Sequence, residues 1–401
     1  MTADTLVHPY RTEDHQHLHE LVTSLAQREI APLVPQLEAL GPHTDREVRR
    51  ICSDAGLLGV LIGSDFGGMD EGHVSKTMTL VVISRASAAA GAILQASILG
   101  AAPIIECGSD EMRSQWLPEI AAGRVWPTIA STDRHSGSHL RGMDTTARRK
   151  GRDFILDGEK DLVGNVDLGD IHCVVARTGK TGDPRGLTAF LVENGMPGVE
   201  VIRRPVSGLR GFSADGLRLT GVRVPRSHVI GEVGDGEDAA LISSVVYGRL
   251  NLAAVGLGIQ QETWDVTTRW VSERERRGGH LSDVPAVRRR IAEMAVRMRQ
   301  AELAVFHASY LLDAGEPCDE WLLDAKLVSN RTAVASAEDA QHLHGGHAVR
   351  LENPIERLLR DVRLINAPAG SDDIQIKYIA DAALGPSRTQ WSVRHALRRR
   401  S

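Results

Sequence analysis

Side chains that could transfer a proton are spread along the chain and form no compact motif. Tyr247, Asp133 and His139 carry such groups, as do His347 and Asp372. Their spacing singles out none of them as a general base, a role that requires hydrogen-bond reach to the proton removed. A phenol with a pKa of about 10 is also a poor base unless its surroundings shift that pKa strongly. The sequence therefore offers several weak candidates for acid–base catalysis.

The four cysteines give no sign of a metal site or a disulfide framework. They are far apart and form no CxxC pair: Cys52, Cys107, Cys173 and Cys318. Zinc sites and disulfide-rich domains instead show closely spaced cysteines. We therefore expect free thiols, no bound metal and a reducing, cytoplasmic location.

Charge and hydropathy indicate a globular protein rather than a nucleic-acid or membrane protein. The 401 residues are 42% hydrophobic with a formal net charge of -5, which is enough for a large core divided among two or three domains. The only basic run, Arg398-Arg399-Arg400, is predicted to be a solvated tail. The most apolar stretch, Ala88 to Ile105, is interrupted by Gln95 and Ser97, which favours a buried helix over a membrane span.

The spacing of apolar residues divides the chain into three regions. Residues 1–125 show helical spacing, residues 126–235 contain short strand-like runs between turns, and residues 236–401 return to long helical patterns. The predicted fold class is a multidomain α+β protein. An N-terminal helical domain precedes a middle β-barrel domain and a C-terminal four-helix bundle.

One helix in the first region has well-marked limits. Ser109 can cap the free amides at its start, while Asp110 and Glu111 lie in the first turn, where the helix dipole favours negative charge. Pro118 disfavours helical backbone in the residue before it, so we predict that this helix ends near Trp116.

Several short strings, taken in order, resemble the acyl-CoA dehydrogenase family over nearly the whole chain. Each string alone is weak, because a packing glycine or a helix cap would explain it, but the ordered set is specific. The strings are Gly56-Leu57-Leu58-Gly59, Phe66-Gly67-Gly68 and Gln115-Trp116-Leu117-Pro118, then Gly208-Leu209-Arg210-Gly211 and Val222-Arg223-Val224-Pro225, and finally Tyr247-Gly248-Arg249, His344-Gly345-Gly346 and Arg360-Asp361.

The resemblance implies a flavoprotein that binds FAD between the β domain and the C-terminal helices, with part of the cofactor held by a neighbouring subunit. It implies a homodimer or homotetramer and a small-molecule or acyl-thioester substrate. A segment like Ile129 to Ser138 lies along the flavin in this family, and Thr132, Gly137 and Ser138 are retained in it. Hydroxyls and backbone amides there can donate to the flavin ring.

Other expected flavin contacts are only partly retained. The family's tryptophan and threonine beside the ring are replaced by Leu162 and Gly164. Arg274 matches an arginine on the pyrophosphate, for which a guanidinium is suited through bidentate donation. The remaining matched positions at the dinucleotide end are His342, where the family has glutamine, and Gly345, Gly346, Ser371 and Asp373.

The glutamate that removes the substrate α-proton in this family is missing. Its usual position holds Ala369, and the minority position just before Arg249 holds Gly248. Neither residue can accept a proton. Loss of a general base typically slows a reaction by ~10²- to 10⁴-fold, so ordinary desaturation would be slow unless another group, such as Tyr247, Asp133 or His139, replaces the glutamate.

Three functions are compatible with this pattern. The first is an FAD-dependent oxidoreductase with an altered site, or a related oxygenase of the kind found in secondary metabolism, which needs no α-proton base. The second is a non-redox enzyme that uses the same pocket, and the smaller residues at Leu162, Gly164 and Ala369 would suit a different molecule. The third is a catalytically silent subunit that assembles with a related dehydrogenase. The first is the prediction that we follow.

Overall fold

The computed structural model describes residues 10, 12–40, 44–385 and 390–399. Its first region is helical, with α1 (Glu13–Leu25), α2 (Val34–Glu38), α3 (Thr44–Asp54), α4 (His73–Ala86), α5 (Ala88–Cys107) and α6 (Asp110–Ala121). Helix α5 is buried along nearly its whole length, because it packs against elements of all three regions. At Gly100 an added Cβ would lie 2.5 Å from the backbone oxygen of Pro127, so glycine allows the following strand to lie directly on this helix.

The middle region is one eight-stranded sheet with strand order β6-β7-β3-β2-β4-β5-β8, in which β1 pairs in parallel with β4. Along β4, Cys173 and Val175 belong to the large core that the sheet shares with the helices. The alternate residues Val174 and Ala176 belong to a second core on the other face of the sheet. The sheet therefore separates two apolar cores. The strands are β1 (Pro127–Ala130), β2 (Thr146–Lys150), β3 (Asp153–Gly164), β4 (Ile171–Arg177), β5 (Leu187–Glu193), β6 (Val199–Ile202), β7 (Ala214–Val224) and β8 (Val229–Ile230).

The third region returns to helices, so the predicted fold class is confirmed. Helices α8, α9 and α10 pack against one another, and α4 packs on α8 and α9. Helix α7 continues through a π-helical segment, Ser243–Gly248, into α8, and such segments are frequent at functional sites. The elements are α7 (Gly236–Ile242), α8 (Arg249–Glu273), a hairpin of β9 (Glu275–Arg276) and β10 (Gly279–His280), α9 (Pro285–Ala314), α10 (Asp319–His344), α11 (Pro354–Leu364), α12 (Asp372–Leu384) and α13 (Trp391–Arg399).

Two helical stretches are long and apolar enough to cross a membrane by composition alone. They are Ala88–Cys107 and Gly236–Glu273, and in each the apolar window is 89% buried inside the protein. Both are core helices of the folded chain. The prediction of a buried helix at Ala88 to Ile105 is confirmed.

The limits of helix α6 were only half predictable. Ser109 caps its start as expected, since the Ser109 hydroxyl accepts the backbone N–H of Met112. The predicted end near Trp116 is wrong, because the helix continues through Pro118 to Ala121. A proline inside a helix removes one backbone bond, but burial of the final turn, at Ile120 and Ala121, keeps this segment helical.

Helix α13 corrects the prediction of a solvated basic tail. The backbone N–H groups of Trp391 and Ser392 donate to the carboxylate of Asp319 at 2.8 Å, which fixes the start of the helix. Arg398 lies 3.1 Å from the Cys107 sulfur. The last arginine of the run, Arg400, lies outside the described residues. The end of the described chain is thus packed onto the N-terminal region.

Two of the family-like strings are in direct contact. Leu209 has a positive φ of 50°, and its backbone N–H donates to the Asp361 carboxylate at 2.5 Å. At Gly208 an added Cβ would lie 2.6 Å from the backbone oxygen of Arg360, so only glycine fits there. Burial raises the pKa of Asp361 to about 6. The loop after β6 is therefore anchored by a buried carboxylate on α11.

This anchor predicts a pH dependence of stability. Below a pH of about 4 both the folded and the unfolded protein have Asp361 protonated, and above a pH of about 6 both have it ionised. Between these limits the folded state holds the extra proton, so folding becomes less favourable as the pH rises. For Asp361→Asn we expect stability relative to wild type to increase by on the order of 2 to 3 kcal/mol across that window. Urea unfolding of both proteins at several pH values measures this difference.

Candidate functional site

The end of strand β3 has an unusual backbone. Leu162 and Asn165 have positive φ angles of 53° and 59°, and the pairing with β7 shifts between Lys160 and Val163. Non-glycine residues with positive φ are uncommon and tend to cluster at functional sites. The Leu162 side chain is 64% exposed, and Gly164 lies beside Ala96 of α5. The end of β3 therefore presents an exposed apolar side chain.

The loop after β1 lies beside this edge and is held by a buried ion pair. The Thr132 backbone oxygen accepts the N–H of Asp161. The Asp133 carboxylate contacts the Lys160 ammonium at 2.5 Å and also accepts the backbone N–H groups of Asp144 and Thr145. Asp133 is 4% exposed and all of these partners fix it in place. Its surroundings therefore argue for a role in loop structure and against one as a mobile base.

The remaining predicted residues of this loop are exposed. The Ser136 hydroxyl donates to the His139 backbone oxygen, which turns the loop back toward β2. Gly137, Ser138 and His139 extend into solvent, and an added Cβ at Gly137 would meet no atom within 4 Å. The tip of this loop is therefore open to solvent.

The two positions at which the family places its glutamate lie side by side. An added Cβ at Gly248 would lie 3.0 Å from the Cβ of Ala369 and 3.3 Å from the side chain of Leu99. Ala369 has a positive φ of 54°. The structure thus brings both predicted positions to one point, where the nearest side chains are apolar. No proton acceptor stands at either position.

A lysine that the sequence reading missed holds the Ala369 loop. The buried Lys326 ammonium donates to the backbone oxygens of Gly370 at 2.6 Å and Asn366 at 3.1 Å. Burial lowers the pKa of Lys326 to about 7, a shift that Asp372 opposes and Arg249 assists. The sequence feature that could have indicated this contact is a lysine on the buried face of α10. Lysine is rare in such positions unless its ammonium has partners.

Tyr247, a candidate base, is part of a buried hydrogen-bond chain. Its hydroxyl donates to the Glu106 carboxylate at 2.6 Å, and His395 Nδ1 contacts the same oxygen at 2.8 Å. His395 Nε2 lies 3.2 Å from His73 Nε2, and His73 Nδ1 lies 3.0 Å from the Lys76 ammonium. All five side chains are at most 3% exposed. The Tyr247 hydroxyl therefore already has an acceptor on α5.

The hydrogen-bond partners determine which atom donates and which accepts in each of these contacts. Lysine has only N–H donors, so His73 Nδ1 accepts from Lys76 and its Nε2 carries hydrogen. His395 Nε2 then accepts, and its Nδ1 donates to Glu106. This series of hydrogen bonds links α4, α5, the π-helical segment and α13. This buried network, which we call the α13 network, holds the C-terminal helix in place.

A second part of the candidate site lies at the ends of α8 and α10. Two adjoining clefts of about 350 and 330 Å³ share Trp270, His344 and His347. His344 stacks on Trp270 with ring centroids 4.7 Å apart, and the Arg274 guanidinium lies 5.2 Å from the same ring. Burial lowers the pKa of His344 to about 4, so this imidazole is neutral at pH 7. The second cleft also includes Gly345 and Gly346.

The glycines of this cleft suit a bulky anionic ligand. Gly345 has φ 58° and ψ -138°, a conformation that is nearly exclusive to glycine. Added Cβ atoms at Gly345 and Gly346 would meet nothing within 4 Å, so their backbone is open to approach. Arg274 is exposed beside them and lies 3.5 Å from His347 Nε2. This arrangement can bind phosphate through the guanidinium and the backbone.

The other predicted contacts lie elsewhere. His342 is exposed on the last turn of α10 and does not line either cleft. Ser371 precedes α12 and Asp373 lies in its first turn, close to the Ala369 loop in sequence. The candidate base Asp372 forms an ion pair with Arg331 at 2.8 Å. Among the residues that the structure describes, no group of three or more His, Cys, Asp or Glu could hold a metal ion.

Comparisons with known proteins match all three regions of this architecture. Residues 12–124, 128–222 and 234–384 match the profiles of the N-terminal, middle and C-terminal domains of acyl-CoA dehydrogenase, respectively. An acyl-CoA dehydrogenase of Bacillus subtilis is 30% identical over 93% of this chain and 99% of its own length. A 3-(aryl)acrylate reductase of Clostridium sporogenes is 28% identical over the same fractions. The structure of a glutaryl-coenzyme A dehydrogenase with glutaryl-CoA matches with a TM-score of 0.88 and 27% identity, covering 93% of this chain and 96% of that one.

Proposed function

This chain belongs to the acyl-CoA dehydrogenase family, and we propose that it is an FAD-dependent oxidoreductase whose acyl-thioester substrate reacts beside Gly248 and Ala369. The observation that carries this proposal is the contact between these two positions. It brings together, at one apolar point, the two positions at which the family resemblance places the proton-accepting glutamate. The proposal therefore includes an altered site, in which neither position accepts the proton.

Two parts of the structure support the proposed FAD site. At one end, the exposed Leu162 would hold the flavin ring against β3, beside Gly164. At the other, Arg274 and the open backbone of Gly345 and Gly346 would hold the pyrophosphate. Bound FAD supplies hydride transfer, a chemistry that the amino-acid side chains lack.

The chain itself supplies position and shielding. Lys326 holds the loop that carries Ala369 through two backbone oxygens. Leu99, Gly248 and Ala369 would present an apolar surface to the reacting carbons. Such a surface favours a substrate whose reaction develops little charge there, or one whose proton leaves by another route.

The same contact favours a flavin-dependent oxygenase as a second candidate. Hydroxylation with reduced flavin and oxygen needs no α-proton base, and neither Gly248 nor Ala369 offers one. Oxygen consumption with an external flavin reductase, compared with flavin reduction by acyl thioesters without oxygen, separates the two reactions.

We also propose a homodimer or homotetramer, or a heteromer with a related dehydrogenase. Val349 and Leu351, just beyond Gly346, are 70% and 78% exposed, as expected of side chains that a second subunit covers. Light scattering after gel filtration measures the subunit number. A cytoplasmic location is part of the proposal, supported by four free cysteines.

The first experiment is reconstitution with FAD followed by visible spectroscopy. We expect a flavin spectrum that persists after gel filtration, and a colourless protein would contradict the proposal. For Arg274→Ala we expect FAD affinity to fall about 10- to 100-fold, because hydrogen bonds to charged groups contribute roughly 1.5–3 kcal/mol. The matched control is Arg299→Ala, which removes an exposed arginine of α9 that lines neither cleft, and an equal loss in both variants would argue against a specific contact.

A further inference from the structure

Helices α5 and α8 run antiparallel beside the proposed reaction point. The Ser243 hydroxyl donates to the Leu99 backbone oxygen at 2.9 Å, and Gly248 lies against the Leu99 side chain. One helical turn further along each helix, the Asn251 side-chain amide points to the Gln95 backbone oxygen, at 3.4 Å. Residues three or four apart on a helix are neighbours with Cβ atoms about 5–6 Å apart. Gln95 and Asn251 therefore lie together, one turn beyond Leu99 and Gly248.

Both of these side chains keep a buried oxygen without a partner. Gln95 Oε1 and Asn251 Oδ1 have no hydrogen bond, although the residues are only 6% and 0% exposed. Buried polar atoms in proteins are nearly always paired, and an unpaired one requires an explanation. A contrasting amide in the same helix α8 is that of Gln260, which bonds to the Ser336 and Thr332 hydroxyls. Unpaired amide oxygens also occur at Asn165, Asn330, Asn366 and Gln375, and the Gln95–Asn251 pair is distinguished from these by its position one turn from Leu99 and Gly248.

We propose that the acyl group of the substrate carries a hydroxyl at its γ or δ carbon, and that Gln95 and Asn251 bind it. This inference rests on the proposed function, which places the reacting carbons beside Gly248 and Ala369. Carbons beyond them along α5 and α8 reach the amide pair one turn away. A hydroxyl donates to one unpaired oxygen and can accept from an amide N–H.

The surroundings favour a neutral hydroxyl over a charged group. The side chains nearest the reaction point, those of Leu99 and Ala369, are apolar, as is Ala96 on the flavin side of α5. A buried ammonium or carboxylate without a counter-charge is strongly disfavoured. A plain alkyl chain would instead leave both amide oxygens unpaired, and sites built to bond a substrate hydroxyl reject analogues that lack it.

The test compares two substrates of equal size. The CoA thioesters of 4-hydroxybutanoic acid and pentanoic acid differ only by a hydroxyl in place of the terminal methyl. Calorimetric titration of the FAD-reconstituted protein should give about 10- to 100-fold tighter binding of the hydroxyacyl thioester. In Gln95→Leu and Asn251→Leu this preference should disappear or reverse, whereas Gln260→Leu makes the same chemical change elsewhere in α8 and should keep it.

The possible failures are distinguishable. Equal binding of the two thioesters to wild-type protein that retains FAD would overturn this inference and leave the proposed function intact, and this comparison needs no variant. An unchanged preference in both leucine variants would also overturn it. A protein that retains no FAD and binds neither thioester would overturn the proposed function, and the inference with it.

Discussion

Ala369→Glu will raise the rate of flavin reduction by acyl thioesters about 10²- to 10⁴-fold, the range that a positioned general base typically contributes. Alanine at this position already adopts a φ of 54°, so a longer side chain adds no new clash at its Cβ. Its neighbours Gly248 and Leu99 are small or apolar. Burial there would raise the carboxyl pKa, as suits a base that works near neutral pH.

The control for this variant is Ala369→Gln, which has the same size and no basic oxygen. Anaerobic stopped-flow bleaching of the flavin absorbance measures both. We expect Gly248→Glu to gain less, because its Cβ would lie 3.0 Å from that of Ala369 and one of the two must shift. Equal rates for the glutamate and glutamine variants would mean that proton removal does not limit the rate of flavin reduction.

Breaking the Asp133–Lys160 ion pair will cost about 3–5 kcal/mol of unfolding free energy, because one buried charge is left without its partner. The two side chains are 3% and 0% exposed and their atoms are 2.5 Å apart. In Asp133→Asn the cost should shrink as the pH rises. Burial lowers the pKa of Lys160, and without the carboxylate its amine stays neutral more readily at high pH.

Urea unfolding of Asp133→Asn, Lys160→Met and the double variant measures this pair. The double variant should recover much of the loss, since replacing both partners leaves no unpaired charge. The exposed pair Arg148–Asp157, broken by Arg148→Met, is the control and should change stability by less than about 1 kcal/mol. A loss of activity in Asp133→Asn without loss of stability would instead restore Asp133 as a candidate base.

The fold was predictable because its signals are repeated along the chain. Helical spacing, strand-like runs and the order of family-like strings all indicated the same three-part architecture. Single local signals were less reliable. Ser109 marked the start of α6 correctly, but Pro118 did not end it, because burial of the last turn outweighs one lost backbone bond.

The site was less predictable, because its partners are distant in sequence. The positions of Gly248 and Ala369 followed from the family resemblance, and the structure shows that they touch. Nothing near Tyr247 in the sequence indicated its partner Glu106, 141 residues away. The contact between Lys326 and the Ala369 loop was equally unpredictable, because the ammonium binds backbone oxygens that no sequence motif identifies.

The α13 network has a consequence for the order in which this protein can fold. Chains fold from the N-terminus during synthesis, so Glu106 and His73 emerge long before His395. Their buried groups must wait for a histidine near the end of the described chain to complete the hydrogen-bond chain. A nascent or truncated chain that lacks α13 would therefore have an incomplete buried hydrogen-bond network. We expect chaperones to bind such a chain and proteases to degrade it.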